Sequence, residues 1–121
     1  MALTLDTEVI TGTIANGTSL SGAVSLGAKS LVAIQMPATW TAAQLSFQVS
    51  FDGTTFQEFA DTTGTLIAMG ASVDPGNKVL YVDRNTFRAV SLLKIRSGTA
   101  ASPTNQGADR IIGFVVRSEL W

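Results

Sequence analysis

Residues 45–59, LSFQVSFDGTTFQEF, decide the fold, because they contain a complete β-hairpin signal. From Leu45 to Phe51 apolar residues alternate with small polar ones, a period of two that predicts a strand with one buried face. The dipeptide Asp52-Gly53 then favours a tight hairpin turn, and Phe56 and Phe59 would lie on the returning strand. Four of the six phenylalanines fall in this stretch. We therefore expect the core to form around it, and the buried positions to be Leu45, Phe47, Val49, Phe51, Leu93 and Ile95.

Segments rich in β-branched or alternating apolar residues continue on both sides of the hairpin and bring the total to roughly eight strands. Outside the hairpin they are residues 7–14, 20–26, 30–36, 65–69, 78–82, 91–97 and 108–118. Turn signals separate them at Asn16-Gly17, at 61–64 and at 74–77. Residues 38–44 could form a helical turn or a loop, and residues 83–89 could form one helical turn. The last segment is apolar on both faces, which predicts a strand that is central or covered by a partner.

This pattern predicts an all-β fold, a single-domain antiparallel β-sandwich of jelly-roll type with one or two short helical turns. A chain of 121 residues can bury a core without disulfide or metal cross-links. We expect the sandwich domain to cover residues 7–118, an N-terminal arm residues 1–6, and a C-terminal tail residues 119–121. The loop 98–107 has no periodicity and a length that is typical of a functional or mobile loop.

The composition excludes most catalytic chemistry. The chain has no cysteine and no histidine, which removes thiol nucleophiles, imidazole bases and most zinc or copper sites. Asp52, Glu58 and Asp61 flank the hairpin and could serve as paired carboxylates, but each is better explained as a turn former or a solvated strand residue. No GxSxG, SxxK or phosphate-binding glycine motif occurs. We therefore predict no catalytic, cofactor-binding or metal-binding residue and no enzymatic activity.

The charge distribution bears on partners. Residues 1–77 contain six acidic residues and one basic residue, a net charge of −5, whereas residues 78–121 contain seven basic and three acidic residues, a net charge of +4. Either the two halves interleave within one sandwich, or they mediate head-to-tail contact between copies or with an assembly partner. The total of −1 and the lack of a basic run argue against nucleic acid. No apolar run approaches the roughly 20 residues that span a bilayer, so we expect no membrane insertion.

Two motifs carry a resemblance to a known family. The first lies in 37–59, PATWTAAQLSFQVSFDGTTFQEF, and the second in 92–110, LLKIRSGTAASPTNQGADR, followed by the closing strand IIGFVV (111–116). Together they resemble a small module of tailed-bacteriophage and prophage structural proteins, in which a run T-A-A-x-L-x-F-x-x-S-x-D-G-x-x-F precedes L-K-[IVL]-R-S-G-T-x-x-x-P-x-x-Q-x-A-D-R. The matching residues are Thr41, Ala42, Ala43, Leu45, Phe47, Ser50, Asp52, Gly53, Phe56, Leu93, Lys94, Ile95, Arg96, Ser97, Gly98, Thr99, Pro103, Gln106, Ala108, Asp109 and Arg110.

The resemblance implies a non-enzymatic structural protein of a bacteriophage virion, favouring a capsid decoration protein that binds the shell of major capsid proteins. Such a protein would be located in the virion, after assembly in the host cytoplasm, and would act as a homo-oligomer, with a trimer favoured. The alternative is a carbohydrate-binding or receptor-binding module of a tail or fibre, because β-sandwiches often bind sugars on exposed aromatic side chains. Trp40, Tyr81 and Trp121 are the plausible sugar platforms.

Two groups of residues are candidates for function. Large apolar side chains near the two ends of the sequence, together with the loop tryptophan, are the candidate interaction residues: Leu3, Leu5, Trp40, Leu120 and Trp121. For Trp40, plugging one end of the sandwich is favoured over ligand binding. Arg96, Asp109 and Arg110 flank the long loop, and their charged groups could anchor it. Direct contact of these three residues with another virion subunit is the alternative.

Overall fold

The computed structural model of the chain describes residues 7–70, 76–83 and 85–118. All regular secondary structure in these ranges is β-strand. The strands are β1 (Thr7–Ile14), β2 (Val24–Ser25), β3 (Lys29–Gln35), β4 (Leu45–Val49), β5 (Gln57–Glu58), β6 (Ala68–Met69), β7 (Val79–Tyr81), β8 (Leu92–Ser97) and β9 (Arg110–Ser118). The all-β prediction is confirmed, and the first strand has the predicted bounds.

The strands form two antiparallel sheets. Sheet A has the order β1-β9-β3-β7, and sheet B has the order β2-β8-β4-β5, with β6 also paired to β4. The pairing is nested along the chain, because β1 pairs with β9, β2 with β8, β3 with β7 and β4 with β5. As predicted for the last segment, β9 is a central strand, with β1 on one side and β3 on the other.

One hydrophobic core lies between the sheets. Sheet A contributes Ile14, Leu31, Ile34, Ile112, Phe114 and Val116, and sheet B contributes Val24, Leu45, Phe47, Val49, Leu93 and Ile95. Side chains alternate between the two faces of β9. Ile112, Phe114 and Val116 are fully buried on the core side, whereas Ile111, on the opposite side, is 61% exposed. Gly12 gives the room for this packing, since a Cβ there would lie 2.6 Å from Val24 Cγ2. The architecture is therefore sandwich-like.

The central hairpin differs from the prediction. Strand β4 ends at Val49, and Val49 pairs with Gln57, so residues 50–56 form a loop in place of a tight two-residue turn. Phe51 falls in this loop and is 73% exposed, so its predicted burial is wrong. Polar bonds build the loop: Asp52 Oδ1 accepts from the amides of Thr54 at 2.9 Å and Thr55 at 2.7 Å. The dipeptide still forms the bend, because Gly53 has a φ of +87°.

The predicted helical turns are also wrong, since the described residues contain no helix. Residues 38–44 contain bends, and residues 85–89 are hydrogen-bonded turns. Two short-range bonds define the latter, from the amide of Thr86 to Asp83 O at 3.0 Å and from the amide of Val90 to Phe87 O at 3.0 Å. Phe87 still packs inward as expected and is only 1% exposed. No helix within the described ranges has the length and apolarity needed to cross a membrane.

Some predictions fall on residues outside the described ranges. The N-terminal arm 1–6, the C-terminal tail 119–121 and residues 74–75 of the predicted turn belong to this group. The second half of that turn is described: Gly76 and Asn77 form a turn, and Asn77 has a φ of +57°.

Candidate functional site

Arg96 joins strands β8, β4 and β5 through a half-buried ion pair with Glu58, whose side chain is 32% exposed. Its Nη1 donates to Glu58 Oε1 at 2.8 Å and its Nη2 to Glu58 Oε2 at 2.5 Å, a bidentate geometry in which the arginine side chain is only 8% exposed. Gln48 Nε2 also donates to Glu58 Oε2, at 2.8 Å. The same Arg96 Nη1 donates to Ser46 Oγ at 3.1 Å, and Ser46 in turn donates to the carbonyl of Gly98 at 2.8 Å. Arg96 therefore reaches the first residue of the long loop through one intermediate hydroxyl.

This ion pair predicts a pH-dependent stability. Hydrogen bonding from Arg96 holds the pKa of Glu58 below its ordinary value of 4.5. Because the pKa is lower in the folded than in the unfolded chain, the contribution of the pair is full above about pH 4.5 and is lost as pH falls through the folded pKa. We expect the free energy of unfolding, measured by urea titration, to decrease more steeply on acidification for the native chain than for Glu58→Gln.

The glutamine variant is the matched control because it keeps the shape of Glu58 and cannot titrate. Asp52 and Asp61 are present in both proteins, and each makes the same contribution to the acid sensitivity of the native chain and of the variant. The difference between the two pH profiles therefore isolates Glu58. Parallel profiles between neutral pH and about pH 3 would show that the pair has no such effect.

The long loop is tied to the end of β8. Gly98 donates its amide to Gln44 O at 2.6 Å, and Thr104 donates its amide to Ser97 O at 2.9 Å. The hydroxyl of Ser97 donates back to the carbonyl of Thr104. Gly98 and Pro103 form an isolated antiparallel bridge. The first half of the loop is thus a closed ring of backbone bonds that starts from a glycine with a φ of +90°.

Gln106 holds the second half of the loop and was not among the candidate residues. It is 1% exposed. Its Nε2 donates to Thr41 O at 3.0 Å, and its Oε1 accepts from the amide of Thr41 at 2.9 Å and from Arg110 Nε at 3.0 Å. Its backbone bonds Gly17 and Thr18 in the β1–β2 connection, at 2.8 and 2.9 Å. A buried side-chain amide whose nitrogen and oxygen are both hydrogen-bonded fixes three segments at once.

Asp109 and Arg110 lie beside this glutamine, at the start of β9. Asp109 Oδ1 accepts from the amide of Asn16 at 2.7 Å, which ties the end of the loop to the first turn. Arg110 is 9% exposed and directs its guanidinium to Gln106 and, at 3.4 Å, to Thr41 Oγ1. Arg110 bonds Gln106, and Asp109, the preceding residue, bonds the turn at Asn16, whereas Arg96 lies in a separate group with Glu58. We call residues Thr41, Gln106, Asp109 and Arg110 the loop-anchor cluster.

The remaining carboxylates of the hairpin region shape turns. Hydrogen bonds from the amides of Thr55 and Thr54 lower the pKa of the Asp52 carboxyl. The side chain and amide of Thr63, followed by the amide of Thr65, lower the pKa of Asp61 in the same way. The part of the chain that is described contains no group of three or more acidic side chains placed to hold a metal ion.

Of the candidate interaction residues, only Trp40 lies in the described ranges. It is 4% exposed, belongs to the hydrophobic core, and donates from Nε1 to Ala43 O at 3.3 Å. Trp40 therefore plugs one end of the sandwich, and its assignment as an interaction residue or sugar platform is wrong. Tyr81, by contrast, is 81% exposed. Leu3, Leu5, Leu120 and Trp121 lie outside the described residues.

Four of the six exposed large apolar side chains among the described residues lie on sheet A. Strand pairing places its outward residues in rows: Val9, Val115, Ala33 and Tyr81 in one, and Thr11, Gly113, Gln35 and Val79 in the next, with Thr13 opposite Ile111 beyond them. None of these positions is charged, and we call them the outer face. Gly113 allows Val9 and Gln35 to meet over the sheet, since a Cβ there would lie 3.0 Å from Val9 Cγ1 and 2.8 Å from Gln35 Oε1. The sequence signal for the outer face was the apolar character of both faces of β9.

Comparisons with known proteins give no relative for this chain: no family model matches, and neither the curated proteins nor the solved structures contain a match.

Proposed function

We propose that this chain is a non-enzymatic structural protein of a tailed-bacteriophage virion, and specifically a capsid decoration protein. The observation that supports this most is the meeting of the two resemblance motifs in the loop-anchor cluster. Thr41 comes from the first motif, and Gln106 and Arg110 come from the second, 65 and 69 residues away along the chain. A residue of the first motif and two residues of the second are thus partners in one polar network, which is a physical reason for the motifs to occur together.

The strand order supports the jelly-roll part of the proposal. Strands β5 and β6 both pair with β4 at the tip of the nested hairpin, so we count them as one position. The two sheets then contain eight positions. The first pairs with the last, the second with the seventh, the third with the sixth and the fourth with the fifth. This is the order expected when a long hairpin is rolled into a jelly roll. Capsid proteins and lectins both use that fold, so it suits the proposal and its carbohydrate-binding alternative alike. The motifs favour the capsid role.

We propose a non-enzymatic protein because the carboxylates of Asp52, Glu58 and Asp61 are hydrogen-bonded to neighbouring structural groups. Glu58 is bonded by Arg96 and Gln48, and Asp52 and Asp61 accept bonds from their own turns. Groups that the sequence offered for acid-base catalysis therefore have structural partners. A binding role is left for the exposed surfaces and for Leu120 and Trp121, which we assign to contact with the major capsid protein shell.

Immunogold electron microscopy of purified particles tests the proposal. Antibodies against the recombinant protein are applied to virions from the strain that encodes it, with antibody pre-absorbed on the recombinant protein as the control. The expected result is gold distributed over the heads. Gold confined to tail tips, together with a signal on a glycan array, would favour the receptor-binding alternative. Intact particles without specific gold would contradict a virion role.

A further inference from the structure

Strand β1 is the one long edge strand among the described strands. It has eight residues, Thr7–Ile14, and lies at the end of sheet A. The other edge strands are β7, with three residues, and β2, β5 and β6, with two each. Proteins protect sheet edges from pairing with another chain by short strands, bulges, prolines and lysines. Strand β1 has none of these, because its register with β9 is unbroken and its sequence, TEVITGTI, lacks proline and lysine.

The hydrogen bonds of sheet A determine which backbone groups of β1 point outward. Met36 donates its amide to Lys78 O at 2.8 Å, so the even-numbered residues in the second half of β3 face β7 and the odd-numbered ones face β9. Adjacent residues of a strand direct their backbone groups to opposite sides. Followed across β9 through the two registers, this alternation turns the even-numbered residues of β1 toward β9. Val9, Thr11 and Thr13 therefore direct N–H and C=O away from the sheet, and no described residue bonds these groups.

This outward row of β1 is complementary to itself. In an antiparallel pairing centred on Thr11, that residue faces Thr11 of the second copy, and Val9 of each copy faces Thr13 of the other. Each of these three pairs exchanges two N–H···O=C bonds, so every outward group from residue 9 to residue 13 has a partner. Threonine opposite threonine is also one of the cross-strand pairs that stabilise antiparallel sheets.

The charges of β1 are compatible with this pairing. Glu8 is the only charged residue of the strand, and its carboxylate bonds Lys29 in its own chain. Like charges that lie directly opposite each other destabilise a sheet. In the pairing centred on Thr11, Glu8 faces Ile14 of the second copy, and no like charges meet.

We propose that two copies of the chain pair through β1, antiparallel and about a two-fold axis at Thr11. The two sheets A then form one continuous sheet of eight strands, four from each copy. The contact is isologous and gives a closed dimer, in place of the trimer that the resemblance favours. This inference rests on the backbone of sheet A and does not depend on the virion role.

Disulfide cross-linking tests the register, because the chain has no cysteine of its own. On mild oxidation Thr11→Cys should form a covalent dimer, since the Cα atoms of a hydrogen-bonded antiparallel pair are about 5.5 Å apart, within the range of a disulfide. The matched control is Thr13→Cys, which is exposed in the same row. Its counterpart in the second copy lies four residues farther along, roughly 13 Å away. We expect about tenfold more covalent dimer with Thr11→Cys, and equal yields from the two folded variants would overturn the proposal.

Sedimentation of a proline variant tests the role of the edge. Thr11→Pro removes an outward N–H and leaves the β1–β9 bonds intact, a position at which edge strands tolerate proline. We expect a dimer for the native chain, and for Thr11→Pro a monomer that still melts as a folded protein. Thr11→Lys, which places two positive charges opposite each other, gives the same test if the proline variant does not fold. A native chain that is monomeric at all concentrations or trimeric, or a dimer that survives Thr11→Lys, would contradict the pairing.

Discussion

Phe47→Ala is expected to lower the free energy of unfolding by roughly 3 to 5 kcal/mol, the cost of truncating a fully buried aromatic side chain. Phe47 lies in β4 opposite Ile95 of β8 and is 1% exposed. Its ring meets Phe87 edge-on at a centroid distance of 4.9 Å, and Phe59 packs on Phe87 at 5.1 Å. Truncation therefore removes buried area and one member of an aromatic cluster that holds the turns at 85–89 against sheet B.

Phe51→Ala is the matched control for this variant. It removes the same group four residues along the same segment, but the Phe51 ring is 73% exposed. Its free energy of unfolding, from chemical denaturation, should stay within about 0.5 kcal/mol of the native value. Equal losses for the two variants would mean that the position of the loop after Val49 is wrong.

Gly98→Ala is expected to cost about 2 to 5 kcal/mol, the sum of a left-handed backbone strain of about 1–2 kcal/mol and an overpacking cost of about 1–3 kcal/mol. The φ of Gly98 is +90°, and a Cβ there would lie 2.5 Å from Ser102 O, 2.7 Å from Thr104 N and 2.9 Å from Pro103 Cα. All three atoms are backbone or ring atoms of the closed loop. They cannot move away without breaking the bonds that tie the loop to β8.

Gly53→Ala separates the two costs. Gly53 has a similar φ of +87°, but a Cβ there would have nothing within 4 Å. Its unfolding free energy should fall only by the backbone term, about 1–2 kcal/mol. The difference between the two variants measures the close approach of the loop to Gly98. Variants with the same stability would contradict the packing of residues 102–104 on that glycine.

The long strands were predictable from the sequence because their signals are local. Residues 7–14 and 91–97 show sustained β-branched or alternating apolar residues, and β1 and β8 form there. The central position of β9 followed from apolar side chains on both of its faces. Such patterns report directly on which side chains must leave water, and no distant partner has to be known.

The length of the central loop was not predictable in this way. Asp52-Gly53 indicates a bend, but the bend is compatible with a two-residue turn or a longer loop. Ser50 and Asp52 decide between them by bonding the loop's own amides, including Gly53 N to Ser50 Oγ at 3.0 Å. Side-chain bonds of this kind compete with strand pairing and end β4 two residues early. The exposure of Phe51 follows from that competition.

The loop-anchor cluster was predictable only in part. Asp109 and Arg110 stood out because charged residues beside a long loop suggest an anchor. Gln106 gave no such signal, since it lies in an aperiodic segment and its partner Thr41 is 65 residues away. Its recurrence in the resemblance motif was the one indication available. Contacts between distant segments depend on the topology of the two sheets, which local patterns do not specify.

The copy number of the chain in purified particles tests the proposed capsid role most directly. Trypsin releases SGTAASPTNQGADR (97–110) and IIGFVVR (111–117), and isotope-labelled copies of both peptides allow mass spectrometric quantification against the major capsid protein. The decoration role predicts a constant ratio to the major capsid protein across the gradient peak of intact virions, with three copies for each occupied site if the chain binds the shell as a trimer. Absence from the particles, or only a few copies in each, would contradict it.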